Sequence, residues 1–145
     1  MNERKIFFWK RYFIIISYLI IVIGIYIAFF KTTIFFKPFN FFVDPVFWKD
    51  ETQSINTLKF KYFIYSLLGA VMVLWGTMLY FIIKHEFTSG KKWIWNCIAL
   101  SVLSWFLIDE FFSILYHVYY NAAFNLGLFF IMYIPLFSIK QYFKK

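Results

Sequence analysis

The chain is poor in the residues that most small soluble domains depend on. It has one cysteine, Cys97, two histidines, three prolines and five glycines in 145 residues. A single thiol excludes an intrachain disulfide and a metal cluster built on thiolates. Charge is scarce too: 15% of residues are charged and only seven are acidic. A soluble domain of this length needs more polar surface to cover its core. Motifs that mark common enzyme classes are also missing. The sequence contains no GxxxxGK[ST], HExxH, GxSxG or GxGxxG, and no internal repeat.

What the chain does have is apolar sequence, 63% hydrophobic and 28% aromatic, gathered in four blocks with short charged segments between them. That pattern predicts an all-α, integral membrane bundle of four transmembrane helices, a single domain over 1–145. The blocks cover about 12–30, 62–83, 93–116 and 121–139. The first holds 19 uncharged residues, enough to span the hydrocarbon core at about 1.5 Å per residue. "AFFKTT" after it is a poor cleavage site, so this block reads as a retained helix and not a signal peptide. Very few residues separate the third and fourth blocks, which predicts a tight antiparallel hairpin.

Net charge is +8. The bases flank apolar blocks, so the lipid bilayer, and not nucleic acid, is the expected partner. Ten bases fall in the N-terminus, the second connection and the C-terminus: Arg4, Lys5, Lys10, Arg11, Lys84, Lys91, Lys92, Lys140, Lys144 and Lys145. Five fall in the first connection: Lys31, Lys37, Lys49, Lys59 and Lys61. The imbalance predicts a multi-pass protein of the cytoplasmic (bacterial inner) membrane with both termini cytoplasmic.

The first connection, 31–61, is then extracytoplasmic. Its half "FFKPFNFFVDPVFW" is too aromatic for a free loop and should lie along the interface or fold back over the helices. Pro38 and Pro45 argue against one straight helix there, and Asp44-Pro45 reads as a cap and first position of a short one. The half "KDETQSINT" reads as solvated. In the second block Ser66, Gly69, Val73, Gly76, Thr77 and Tyr80 recur near helical spacing. Their small members suit close packing inside this chain, with Gly24 able to accept such a neighbour. Pro135 should kink the fourth helix, and Trp93 and Trp95 fit an aromatic belt.

The stretch that carries chemistry is "WFLIDEFFSILYH", 105–117. Asp109, Ser113 and His117 are four residues apart in turn, so they stack on one helix face, and Glu110 lies three before Ser113. Asn121 and Asn125 should return beside His117 and Ser113 respectively after the hairpin, with Trp105 and Tyr116 flanking the Asp109 side. Asp109 lies about 21 Å from Trp95 along a core about 30 Å thick. A lipid-exposed ionised acid at such depth costs about 2.5–3.5 kcal/mol on insertion scales, so it needs a partner, a proton or water.

These eight residues are the candidate ligand-binding set, for a small amphipathic, hydrophobic or cationic ligand or a lipid, or for a membrane protein partner. The alternatives are a membrane-embedded enzyme using Asp109, Glu110 and His117, with catalytic residues otherwise unknown, and an accessory subunit of a larger membrane complex. Hydrogen bonding that merely pins two helices together is the plain alternative to all of them. A proton path is disfavoured because only Cys97, Ser101 and Ser104 continue the polar trail. No cofactor is implied, and a metal is disfavoured with one histidine at hand.

Overall fold

Helix is the only regular structure among the described residues, 3–33, 36–49 and 52–144 of this computed structural model. Ile34, Phe35, Asp50 and Glu51 of the first connection, and Lys145 of the C-terminal bases, lie outside them. The helices are α1 Glu3–Phe30, α2 Lys37–Trp48, α3 Ile55–Glu86, α4 Lys92–Leu115 and α5 Tyr119–Ser138. Short 3₁₀ turns, Phe87–Ser89 and Lys140–Tyr142, follow α3 and α5. The segments Glu3–Phe30, Ile55–Ser89, Lys92–Leu115 and Tyr119–Tyr142 are long and apolar enough to cross a membrane, with mean hydropathy from 1.8 to 2.8. Much of their apolar surface points outward: Phe29 is 78% exposed, Ile134 62% and Leu100 61%. Water would make such surface an aggregation hazard, whereas acyl chains are its matching solvent. The chain is a small, all-α, multi-pass membrane protein.

Two of these helices overrun their apolar blocks because local chemistry supports extra turns. Glu3 lies in the first turn of α1, where a carboxylate complements the helix dipole. Ser54 caps α3, its Oγ accepting the Thr57 N–H at 3.2 Å.

The chain divides into two compact units, Ile15–Tyr80 and Met1–Ile14 with Phe81–Lys145. Within Ile15–Tyr80, α1 and α3 meet through glycine. A Cβ built on Gly24 would fall 2.7 Å from the Gly69 carbonyl oxygen, and one on Gly76 would fall 3.0 Å from the Ser17 carbonyl oxygen. Backbones this close gain dispersion contacts that larger side chains would forbid. Gly69 and Gly76 thus do what their spacing suggests, with Gly24 opposite.

The first connection departs from its expected form, since one helix, α2, runs through both prolines. Pro38 sits in the first turn, where no backbone N–H is required, and Pro45 stands near the end, where few hydrogen bonds remain to lose. Asp44 therefore caps nothing. Its carboxylate grips Lys61 of α3 through both oxygens, at 2.9 and 2.8 Å. Tyr65 donates to Asn40 Oδ1 at 3.1 Å and its ring lies 5.2 Å from that of Phe36. In this way α2 is tied back onto α3.

The other unit is centred on Phe13, Ile83, Phe87, Ile94 and Ile139, all fully buried. The Phe87 ring lies between those of Phe13 and Phe143, at 5.8 and 5.3 Å. Proline again leaves a mark: Pro135 offers no N–H to the Ile131 carbonyl four residues earlier. The Tyr12 hydroxyl donates to that carbonyl instead, at 2.8 Å. Of the two belt tryptophans, Trp93 is exposed, while half-buried Trp95 donates its indole N–H to the Leu136 carbonyl at 2.9 Å.

Candidate functional site

The hairpin between α4 and α5 turns on three residues, Tyr116–Val118, and its backbone explains the position of His117. The Val118 N–H reaches the Ser113 carbonyl at 2.8 Å and the His117 N–H reaches that of Ile114 at 3.1 Å. This pair of bonds is the Schellman closure of a helix end, which demands a left-handed residue between helix and exit. His117 occupies that position with φ of 60°. Glycine is the usual tenant, and histidine is among the few other residues that visit this region with any frequency. Its exposed ring turns to Tyr119, with Nδ1 2.9 Å from the hydroxyl.

One turn back, and not beside His117 as the spacing suggests, Asn121 meets the polar side chains of α4. Asn121, in the first turn of α5, donates through Nδ2 to Asp109 Oδ1 at 3.0 Å and to Ser113 Oγ at 2.8 Å. Ser113 Oγ donates in turn to Asp109 Oδ1 at 3.3 Å. The three form a closed clip between the helices, with Ser113 buried and the other two half-buried. The i, i+4 spacing on α4 stacks Asp109 under Ser113, and the short turn delivers Asn121 to both.

Two members of the candidate set are buried differently. Asn125 is 3% exposed, and its Nδ2 has no hydrogen-bond partner among the described residues. Glu110 Oε2 is likewise buried and without one. The Ser113–Asn121 bond on one side and the Phe106–Phe129 stack, at 4.3 Å, on the other bracket Asn125 at the level of Asp109 and Glu110. A buried polar atom without a partner costs about 1–3 kcal/mol, so two at one level form a feature that asks for a further hydrogen-bonding group.

Trp105 is half-buried one turn before Asp109, and exposed Tyr116 stacks on Phe112 at 6.2 Å between centroids. Among the described residues no three His, Cys, Asp or Glu side chains converge as a metal site would require. The pair Asp44–Lys61 is a polar centre that the sequence pattern does not reveal. Lys61 is 7% exposed, paired with Asp44 and 5.4 Å from the centroid of Trp48. Seventeen residues separate its members, and a lysine at the edge of an apolar block otherwise reads as a topology signal. No protein-family model, no curated protein and no solved structure matches the chain.

Proposed function

We propose that this membrane protein binds an amphipathic molecule, a lipid or a small hydroxylated or cationic compound, through the polar cluster of α4 and α5. Asp109, Ser113 and Asn121 satisfy one another and hold the hairpin, whereas Glu110 and Asn125 supply the groups that meet the ligand. The observation that carries this reading is the pair of buried polar atoms, Glu110 Oε2 and Asn125 Nδ2, that have no hydrogen-bond partner among the described residues. One is an acceptor when ionised and the other a donor, which suits a hydroxyl or an amine with an apolar body. The surrounding exposed apolar residues, Ile108, Phe111 and Phe124 among them, offer that body lipid-like surroundings.

The lysine and arginine imbalance supports a cytoplasmic location for both termini and an outer-leaflet level for the cluster. Thiol labelling decides the orientation. With Cys97 removed, a reagent added outside intact cells should modify Asn56→Cys and not Lys91→Cys, and the reverse result would overturn it. The ligand reading is tested by Glu110→Gln and Asn125→Leu. Both should fold and express as the parent does and lose the molecule that copurifies with it. Retention of that molecule by both variants would rule the cluster out as its site.

A further inference from the structure

At the opposite end of the α4–α5 hairpin, a cleft of about 410 Å³ opens between the start of α4 and the segment following α5. Its floor is aromatic, made by Trp95 and Phe143, and its rim carries Lys92, Lys140 and Lys144. No acidic side chain among the described residues lines it. Among the described residues the nearby carboxylate, Glu86, is engaged by Lys91 at 3.0 Å, and none pairs with the three rim lysines. α4 itself adds positive potential: it begins without a side-chain cap and has no acid in its first turn. Asn96 and Gln141 place two amides in the same lining.

The cleft is also held in shape. Trp95 is anchored by its bond to the Leu136 carbonyl, and the Lys140 ammonium rests 4.8 Å from the centroid of its ring. The Tyr142 hydroxyl donates to the Thr88 carbonyl at 2.7 Å, which fastens the 3₁₀ turn that carries Lys140 and Gln141. Phe143 is 3% exposed and packs on Phe87. Three cations around an aromatic floor, one of them held against Trp95, lie at the ends of two candidate membrane spans, where phospholipid headgroups are expected.

The geometry points to a binding site for a phosphate-bearing anion of about glycerophosphate size, ion-paired by Lys92, Lys140 and Lys144 above the Trp95 indole. The anion is either the headgroup of an anionic phospholipid or a soluble phosphate ester. This site is separate from the Glu110–Asn125 level and does not depend on the ligand reading given to it. Three cations facing one anion give the site its preference for net negative charge over a zwitterion.

The test uses the full chain in a neutral detergent, titrated with phosphatidylglycerol, phosphatidylcholine and glycerol 3-phosphate, with bound molecules counted by native mass spectrometry. Phosphatidylglycerol should bind more tightly than phosphatidylcholine, and Lys140→Gln with Lys144→Gln should weaken it about fivefold for each lysine removed. Lys140→Arg with Lys144→Arg should retain binding, as should Lys49→Gln with Lys59→Gln, which removes two exposed bases elsewhere. Displacement by glycerol 3-phosphate identifies a soluble ester as a ligand, and its failure to compete identifies the lipid headgroup. Equal binding of the two lipids, or equal losses in the two glutamine pairs, would overturn the proposal.

Discussion

The Tyr12 hydroxyl donates to the Ile131 carbonyl at 2.8 Å, and Ile131 is the residue whose helical partner would have been Pro135. A tyrosine of α1 thus completes a hydrogen bond that proline removed from α5. Tyr12→Phe should destabilise the protein by about 1 kcal/mol, because the carbonyl is left without its donor. Pro135→Ala restores a backbone N–H, so Tyr12→Phe should cost clearly less in that background. A double-mutant cycle of unfolding in mixed micelles checks the coupling.

The glycines of α3 and α5 should respond in opposite ways. A Cβ on Gly69 would meet Ala28 N at 2.7 Å, whereas one on Gly127 meets nothing within 4 Å. Gly69→Ala should destabilise by about 1–3 kcal/mol through overpacking. Gly127→Ala should be neutral or stabilise by up to about 1 kcal/mol through helix propensity. Thermal unfolding of the two variants side by side measures the contrast.

At the hairpin, the left-handed backbone of His117 makes a further prediction. His117→Gly should stabilise the turn by about 0.5–1 kcal/mol, and a β-branched residue there should destabilise it by at least as much. If the imidazole instead served proton transfer, the glycine variant would gain stability and lose activity. Unfolding and cellular function, measured on the same variant, separate the two roles.

The Asp44–Lys61 pair should behave as a buried pair at the lysine end. Lys61→Met alone strands the carboxylate and should cost about 2–4 kcal/mol, somewhat under the range for fully buried pairs because Asp44 is 27% exposed. Adding Asp44→Leu should recover most of that loss. Chemical unfolding of the single and double variants gives the answer.

The four apolar helices were legible in the sequence because length and charge-free composition carry that signal by themselves. That polar side chains of the third and fourth blocks meet was legible too, but not their register: the spacing sets Asn121 beside His117, whereas the end of α4 at Leu115 brings it to Asp109 and Ser113. The course of the chain through Pro38 and Pro45 was not legible. Whether a proline breaks a helix depends on where the helix begins, and here Pro38 falls in the first turn. His117 was hidden for a related reason. Its spacing from Ser113 aligns the side chains of a continuing helix, but the helix ends at Leu115 and the ring turns to Tyr119. Lys61 and Asp44 needed the tertiary path of α2, which no local pattern encodes.

The central claim is that Glu110 and Asn125 meet a ligand while Asp109, Ser113 and Asn121 hold the hairpin. Native mass spectrometry of protein extracted gently from its own membranes tests it most directly, comparing the parent with Glu110→Gln and Asn121→Ala. The parent should carry a defined bound molecule, Glu110→Gln should lose it at unchanged thermal stability, and Asn121→Ala should unfold at a lower temperature. A parent that carries nothing beyond the bulk lipid, or a Glu110→Gln variant that keeps the same molecule at the same occupancy, would contradict it.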